Sequence, residues 1–235
     1  MMMFILESMK IKILFSSVCL LFGTLYVQGQ EPNEGDVQFW HETKVYFKSY
    51  KKNDKKILQP HFIGVVRTGQ NLKHFVQQRV GFGVDVRINK YLKFTPSYLY
   101  IAGQPIKNVQ AFENRLRFDL TASKKWKNWA ISDRNRFEHR RVNNVGTANR
   151  YRNKIKLSYQ FRNDEDKEIV TPFASTEPHY SFTKNVWSKN EAAIGVGKKF
   201  SKSTSAEFFY LLQNNKSKRL TRIHAIGVNL KFTVD

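Results

Sequence analysis

The residues best placed to do chemistry lie between Ser132 and Phe161, where charged side chains recur at every second position. Arg134, Arg136, Glu138 and Arg140 come first, and after a glycine-containing loop come Arg150, Arg152, Lys154 and Lys156. Glu113, Arg115, Arg117 and Asp119 precede them with the same spacing, and Glu177 follows. A period of two places each set on one face of a β-strand. On a helix the same residues would wrap around the axis and leave no apolar stripe. Basic groups this dense need either carboxylates from other strands, with Glu113 and Glu177 as candidates, or bound anions. The chemistry on offer is therefore ion pairing between strands, with binding of small anions as its functional counterpart.

Other chemistries find less support. The six histidines are scattered (His41, His61, His74, His139, His179 and His224), and no Gly-x-Ser-x-Gly elbow accompanies them. Glu177-Pro178-His179 sets an acid two residues before a histidine, and it falls short of a metal-ligand pattern. Gly81-Phe82-Gly83 and Gly195-Val196-Gly197 lack the strand–loop–helix setting of a phosphate loop and read instead as relief of crowding. No catalytic residue, metal site or cofactor is expected.

The elements that must carry the charges are strands throughout. Phe75–Ile88 alternates most cleanly, with Val76, Val80, Phe82, Val84, Val86 and Ile88 on one face. Gln77, Arg79, Asp85 and Arg87 share the other face with two glycines. Eleven such segments of about 10–16 residues can be counted, with a longer loop at Gly103–Gln110 and another at Val142–Asn149. Soluble sandwiches use strands nearer five or six residues, whereas 9–11 tilted residues cross a bilayer. An all-antiparallel closure needs an even number, which points to ten or twelve.

Lys10 and Lys12 precede an apolar run, Ile13 to Leu25, with small residues before Gln30, as in a cleavable export signal over residues 1–29. The run is too short for a transmembrane helix. Cys19, the only cysteine, lies within it. Its removal takes two of 40 basic and one of 19 acidic residues, leaving 38 against 18 in a single domain over residues 30–235. Such a charge suggests nucleic acid, but an exported chain argues against that partner.

The solvent on each face then decides the architecture. In an outer-membrane barrel apolar side chains meet lipid and the polar set fills the lumen. Opposite charges here could pair in such a lumen. A register in which residue numbers across Trp126–Lys127 sum to 253 sets Asp119 against Arg134, Arg115 against Glu138 and Glu113 against Arg140. Across the next loop a sum of 290 sets Glu138 against Arg152 and leaves three like-charged pairs. Asp133, Asn135 and His139 would face lipid, where an acid is tolerated best near an interface.

The run Ile131-Ser132-Asp133-Arg134-Asn135-Arg136-Phe137-Glu138-His139-Arg140, followed by Arg150-Tyr151-Arg152-Asn153-Lys154-Ile155-Lys156-Leu157, resembles the centre of the DUF2490 family. Glu113-Asn114-Arg115, Pro172 to Glu177 and Gly195-Val196-Gly197 fit it as well. The resemblance implies an exported outer-membrane β-barrel and no established activity. The expectation is an all-β, antiparallel up-and-down transmembrane β-barrel of 10–12 strands behind a cleavable signal peptide, in the cell outer membrane. Its partners would be outer-membrane lipid and small anions. Its charged lumen would serve a structural or binding role, with a narrow anion-preferring channel as the alternative and a lipid-modifying enzyme third.

Overall fold

Alternation of apolar and polar side chains runs from Gly35 to Thr233, and it folds as strand wherever it is sustained. The computed structural model describes residues 35–52, 55–106, 109–216 and 221–234. The expected signal, with Cys19, lies outside the described residues. The strands are β1 (Gly35–Tyr46), β2 (Tyr50–Lys52), β3 (Lys55–Gly69), β4 (His74–Arg87), β5 (Leu92–Ile106), β6 (Val109–Trp126) and β7 (Trp129–Val142). They continue as β8 (Gly146–Tyr159), β9 (Phe161–Arg162), β10 (Glu168–Ser181), β11 (Val186–Lys199), β12 (Thr204–Asn215) and β13 (Arg222–Thr233). No helix occurs among the described residues.

The two short strands, β2 and β9, edge onto β3 and β10, and the eleven long strands close into a barrel. Each long strand pairs antiparallel with the next, except at the seam. There β1 is antiparallel to β3 but parallel to β13, with Gly35 opposite Arg222 and Tyr46 opposite Thr233. This corrects the all-antiparallel expectation and its even count. With an odd number of up-and-down strands the first and last run in the same direction, so a parallel pair completes the ring.

Turn geometry corrects both expected registers by two residues. The β6–β7 hairpin turns at Lys127-Asn128 rather than at Trp126-Lys127, with Lys127 at φ 49°. Trp126 and Trp129 become the closing pair, and partner numbers sum to 255, so that Asp119 faces Arg136 and Arg117 faces Glu138. At β7–β8 a three-residue loop with Asn144 at φ 61° is closed by Val142 and Gly146, the glycine at φ 100°. The sum there is 288 and Glu138 faces Arg150. Within the stretch expected as a long loop, Gly103–Gln110, Ile106 pairs with Val109, so β5 and β6 run further than expected.

The barrel is inverted relative to a soluble one. Phe82 is 63% exposed and Ile226 62%, whereas Glu138 and His179 are fully buried and Arg115 is 3% exposed. The interior is not wholly polar, however. Ile63, Val65, Leu99 and Ile101 form one inward apolar cluster, and Trp40, Ala193, Leu211, Ile223 and Ala225 another, with Phe209 against it.

Gly81 marks where the wall is tightest. A Cβ there would lie 2.0 Å from the Tyr98 carbonyl oxygen and 2.9 Å from Leu99 Cα, both backbone atoms. Gly81→Ala is expected to lower stability by about 1–3 kcal/mol, the usual effect of overpacking. The check is the urea midpoint for loss of the folded barrel.

Candidate functional site

Glu138 sits at the centre of the interior charge network because β7 aims its even-numbered side chains inward. It accepts from Arg150 Nε at 2.7 Å, and Arg115, Arg136 and Arg152 place guanidinium nitrogens at 3.7, 3.9 and 3.5 Å. Arg136 also donates twice to Asp119, at 2.7 and 2.6 Å, a bidentate pair built by the 255 register. Arg115 and Arg140 stand opposite each other, a like-charged pair relieved by Glu113. Arg115 Nε donates to Glu113 Oε1 at 2.6 Å, and Arg140 donates to both of its oxygens at 2.8 Å.

The second centre comes from β10 and β11. Arg134 and Lys154 face each other, as do Arg136 and Arg152. Glu177 offsets this repulsion by accepting from Arg134 at 2.7 Å and Arg152 at 2.6 Å, with Lys154 at 3.9 Å. Across the lumen Lys156 donates to Glu207 at 2.7 Å. The thirteen charged residues expected on the inner face thus share one lumen, and twelve of them hold ion pairs. Arg117 differs: its Nε donates to Ser97 Oγ at 3.0 Å.

Several carboxylate and arginine positions were missed because their strands show no dense charge run, Glu42 on β1 among them. Glu191 on β11 meets Arg152 at 3.4 Å and Lys189 at 3.1 Å, and Glu207 lies on β12. Arg67 and Arg79 line the lumen from β3 and β4. Alternation already put Arg79 on the polar face of its strand, but nothing local pointed to Arg67. Together these groups surround a cavity of about 280 Å³ with ten basic side chains and four carboxylates on its lining. The arrangement can hold anionic groups by charge-assisted hydrogen bonds.

Glu177, His179 and Glu191 bring ligand-type atoms within 4.8 Å of one another. The local Glu177–His179 spacing showed two of the three, and the β10–β11 pairing supplies the third. The Arg152 guanidinium bonds both carboxylates at 2.6 and 3.4 Å, so a side-chain cation already fills the role a metal would take. His179 lies fully buried, its Nε2 3.5 Å from Glu191 Oε1. Ser181, two residues on, has its hydroxyl turned to the Lys184 amide at 3.4 Å. Elsewhere His41 meets Thr43 Oγ1, and His139 meets Asn149 Oδ1, each at 2.8 Å. No serine hydroxyl hydrogen-bonds a histidine ring among the described residues.

On the outer face Asp133 does not stand alone. Asn153 Nδ2 donates to it at 2.5 Å and Asn135 Nδ2 at 3.2 Å, while the Tyr151 hydroxyl bonds Asn135. These bonds satisfy the carboxylate within the sheet and lower the cost of its outward position.

Comparisons with curated proteins and with solved structures returned no match. A family model described as a protein of unknown function, DUF2490, matches residues 37–223, from the start of β1 into β13. The match takes in the charge network and runs from β1 through β12 to the first residues of β13, and the chain belongs to the DUF2490 family.

Proposed function

We propose that this chain is an outer-membrane β-barrel, exported behind residues 1–29, whose charged lumen gives it a structural or anion-binding role rather than an enzymatic one. The observation that carries this reading is the inverted burial: large apolar side chains cover the outside and ion-paired arginines and glutamates the inside. Aromatic residues also cluster at both ends of the wall. Trp129, Tyr159 and Phe161 pack together at one end and Tyr180, Phe182 and Trp187 at the other, as interfacial belts do.

Cell fractionation with gel mobility tests the placement. The mature protein is expected in the outer-membrane fraction, with an unheated band that shifts on boiling. A soluble periplasmic or cytoplasmic pool would reject the reading. The basic excess around the cavity favours one second reading, a narrow anion-preferring channel. Planar-bilayer recordings are expected to show no steady conductance for a lumen filled by side chains. A stable anion-selective current would replace the binding role with the channel, and cation preference would reject both.

A further inference from the structure

The cavity lining is two-sided. From β3 round to β8, each lining residue is basic or carries a hydroxyl: Arg67, Arg79 and Arg117 are joined by Thr121, Ser132 and the arginines and lysines of β7 and β8. From β10 round to β1 the lining holds its apolar members, among them Trp40, Phe173, Phe209 and Leu211, and its four carboxylates. Those carboxylates serve mainly the bases of β7, β8, β11 and β13. Arg67, Arg79 and Arg117 have no carboxylate within 4.0 Å among the described residues. Arg67 Nε is buried without a hydrogen-bond partner. A buried donor left unmet costs about 1–3 kcal/mol, so this group is poised to donate to a bound oxyanion.

The two sides meet at a defined place. The Arg67 guanidinium stacks on the Trp40 ring, 3.4 Å from its centroid, and Lys156 Nζ lies 3.8 Å over Phe173. An aromatic face holds a cation while leaving its hydrogen-bond edge available to an oxyanion. We infer that the lumen binds a small amphiphilic anion, with its oxyanion head on Arg67, Arg79 and Arg117 and its apolar body against Trp40, Phe209 and Leu211. The volume, about 280 Å³, is below that of most pockets for drug-sized ligands and suits an aryl or short acyl oxyanion better than a whole phospholipid. This assignment rests on the anion-binding reading of the lumen above and names its ligand class.

Trp40 supplies the probe. The other tryptophans, Trp126, Trp129 and Trp187, are 42–48% exposed on the outer wall, so replacing all three with phenylalanine leaves Trp40 fluorescence as the signal. The refolded full chain in detergent is titrated with phenyl phosphate, inorganic phosphate and benzyl alcohol. Phenyl phosphate is expected to bind at least tenfold more tightly than either of the others. Arg67→Gln and Arg79→Gln are each expected to weaken it about tenfold. Each variant is scored on protein with a heat-shifted band, and either one is sufficient if the other does not fold. Equal affinity for phosphate and phenyl phosphate, binding unchanged in a folded variant, or no response of Trp40 would each overturn the inference. An outer-membrane protein with a heat-shifted band but no such binding loses this ligand class alone, whereas a protein absent from the outer membrane loses the earlier reading.

Discussion

Glu138→Gln is expected to cost the barrel about 3–5 kcal/mol of unfolding free energy, the usual effect of removing one partner from a buried ion-pair cluster. Glu138 is fully buried and has guanidinium groups from Arg115, Arg136, Arg150 and Arg152 around it. The amide keeps the shape but removes the charge at the point where the four arginines converge. Arg136 keeps Asp119, Arg115 keeps Glu113 and Arg152 keeps Glu177, while Arg150 is left with no carboxylate within 4.0 Å among the described residues. Glu165→Gln is the control. Its bridge to Lys167 is as short, at 2.5 Å, but both side chains are more than two-thirds exposed. Such pairs contribute about 0–1 kcal/mol. Urea unfolding in lipid vesicles should separate the two variants clearly. Equal midpoints would mean that water reaches Glu138 and that the lumen is not the buried, cross-linked interior described above.

Phe82→Arg should have the next largest effect, and its sign depends on the solvent outside the wall. Phe82 is at the middle of β4, 63% exposed, between Phe62 and Tyr98 on the neighbouring strands. In a bilayer an arginine at that depth costs about 2–4 kcal/mol, falling to 0–1 near the interfaces. In water the same change would be neutral or would improve solubility, since it removes an exposed aromatic ring. The expected result is reduced outer-membrane assembly in cells and a lower urea midpoint in vesicles. Ile88→Arg, just beyond the end of β4, is expected to be much milder. If Phe82→Arg raised the soluble yield without loss of stability, the membrane reading would fail. The pair of variants therefore measures depth as well as placement.

Much of this barrel is legible in residue order. Alternation with a period of two assigns Arg134, Arg136 and Glu138 to one face of β7 and Ile131 and Phe137 to the other, and the coordinates keep every one of those assignments. The same pattern yields eleven strands and the inverted arrangement of polar and apolar faces. It could not yield the registers. Sliding a strand by two residues leaves each side chain on its original face, so sums of 253 and 255 look identical to an alternation argument. The choice was made by Lys127 and Gly146, whose positive φ angles place the turns.

Nor could residue order announce the closure or the partners brought together by it. The parallel seam joins Trp40 to Gly227 only once the ring is complete, and Arg152 reaches Glu191, 39 residues away, only once β10 has paired with both β8 and β11. The apolar side of the cavity was hidden for a related reason. Trp40 lies on β1, Phe173 on β10, and Phe209 and Leu211 on β12, and each looks locally like an exception to the polar inner face. Local chemistry set the direction in which each side chain points, because neighbouring Cβ atoms alternate by covalent geometry. What each side chain meets depends on strand pairing over long distances, which the chain settles only by folding.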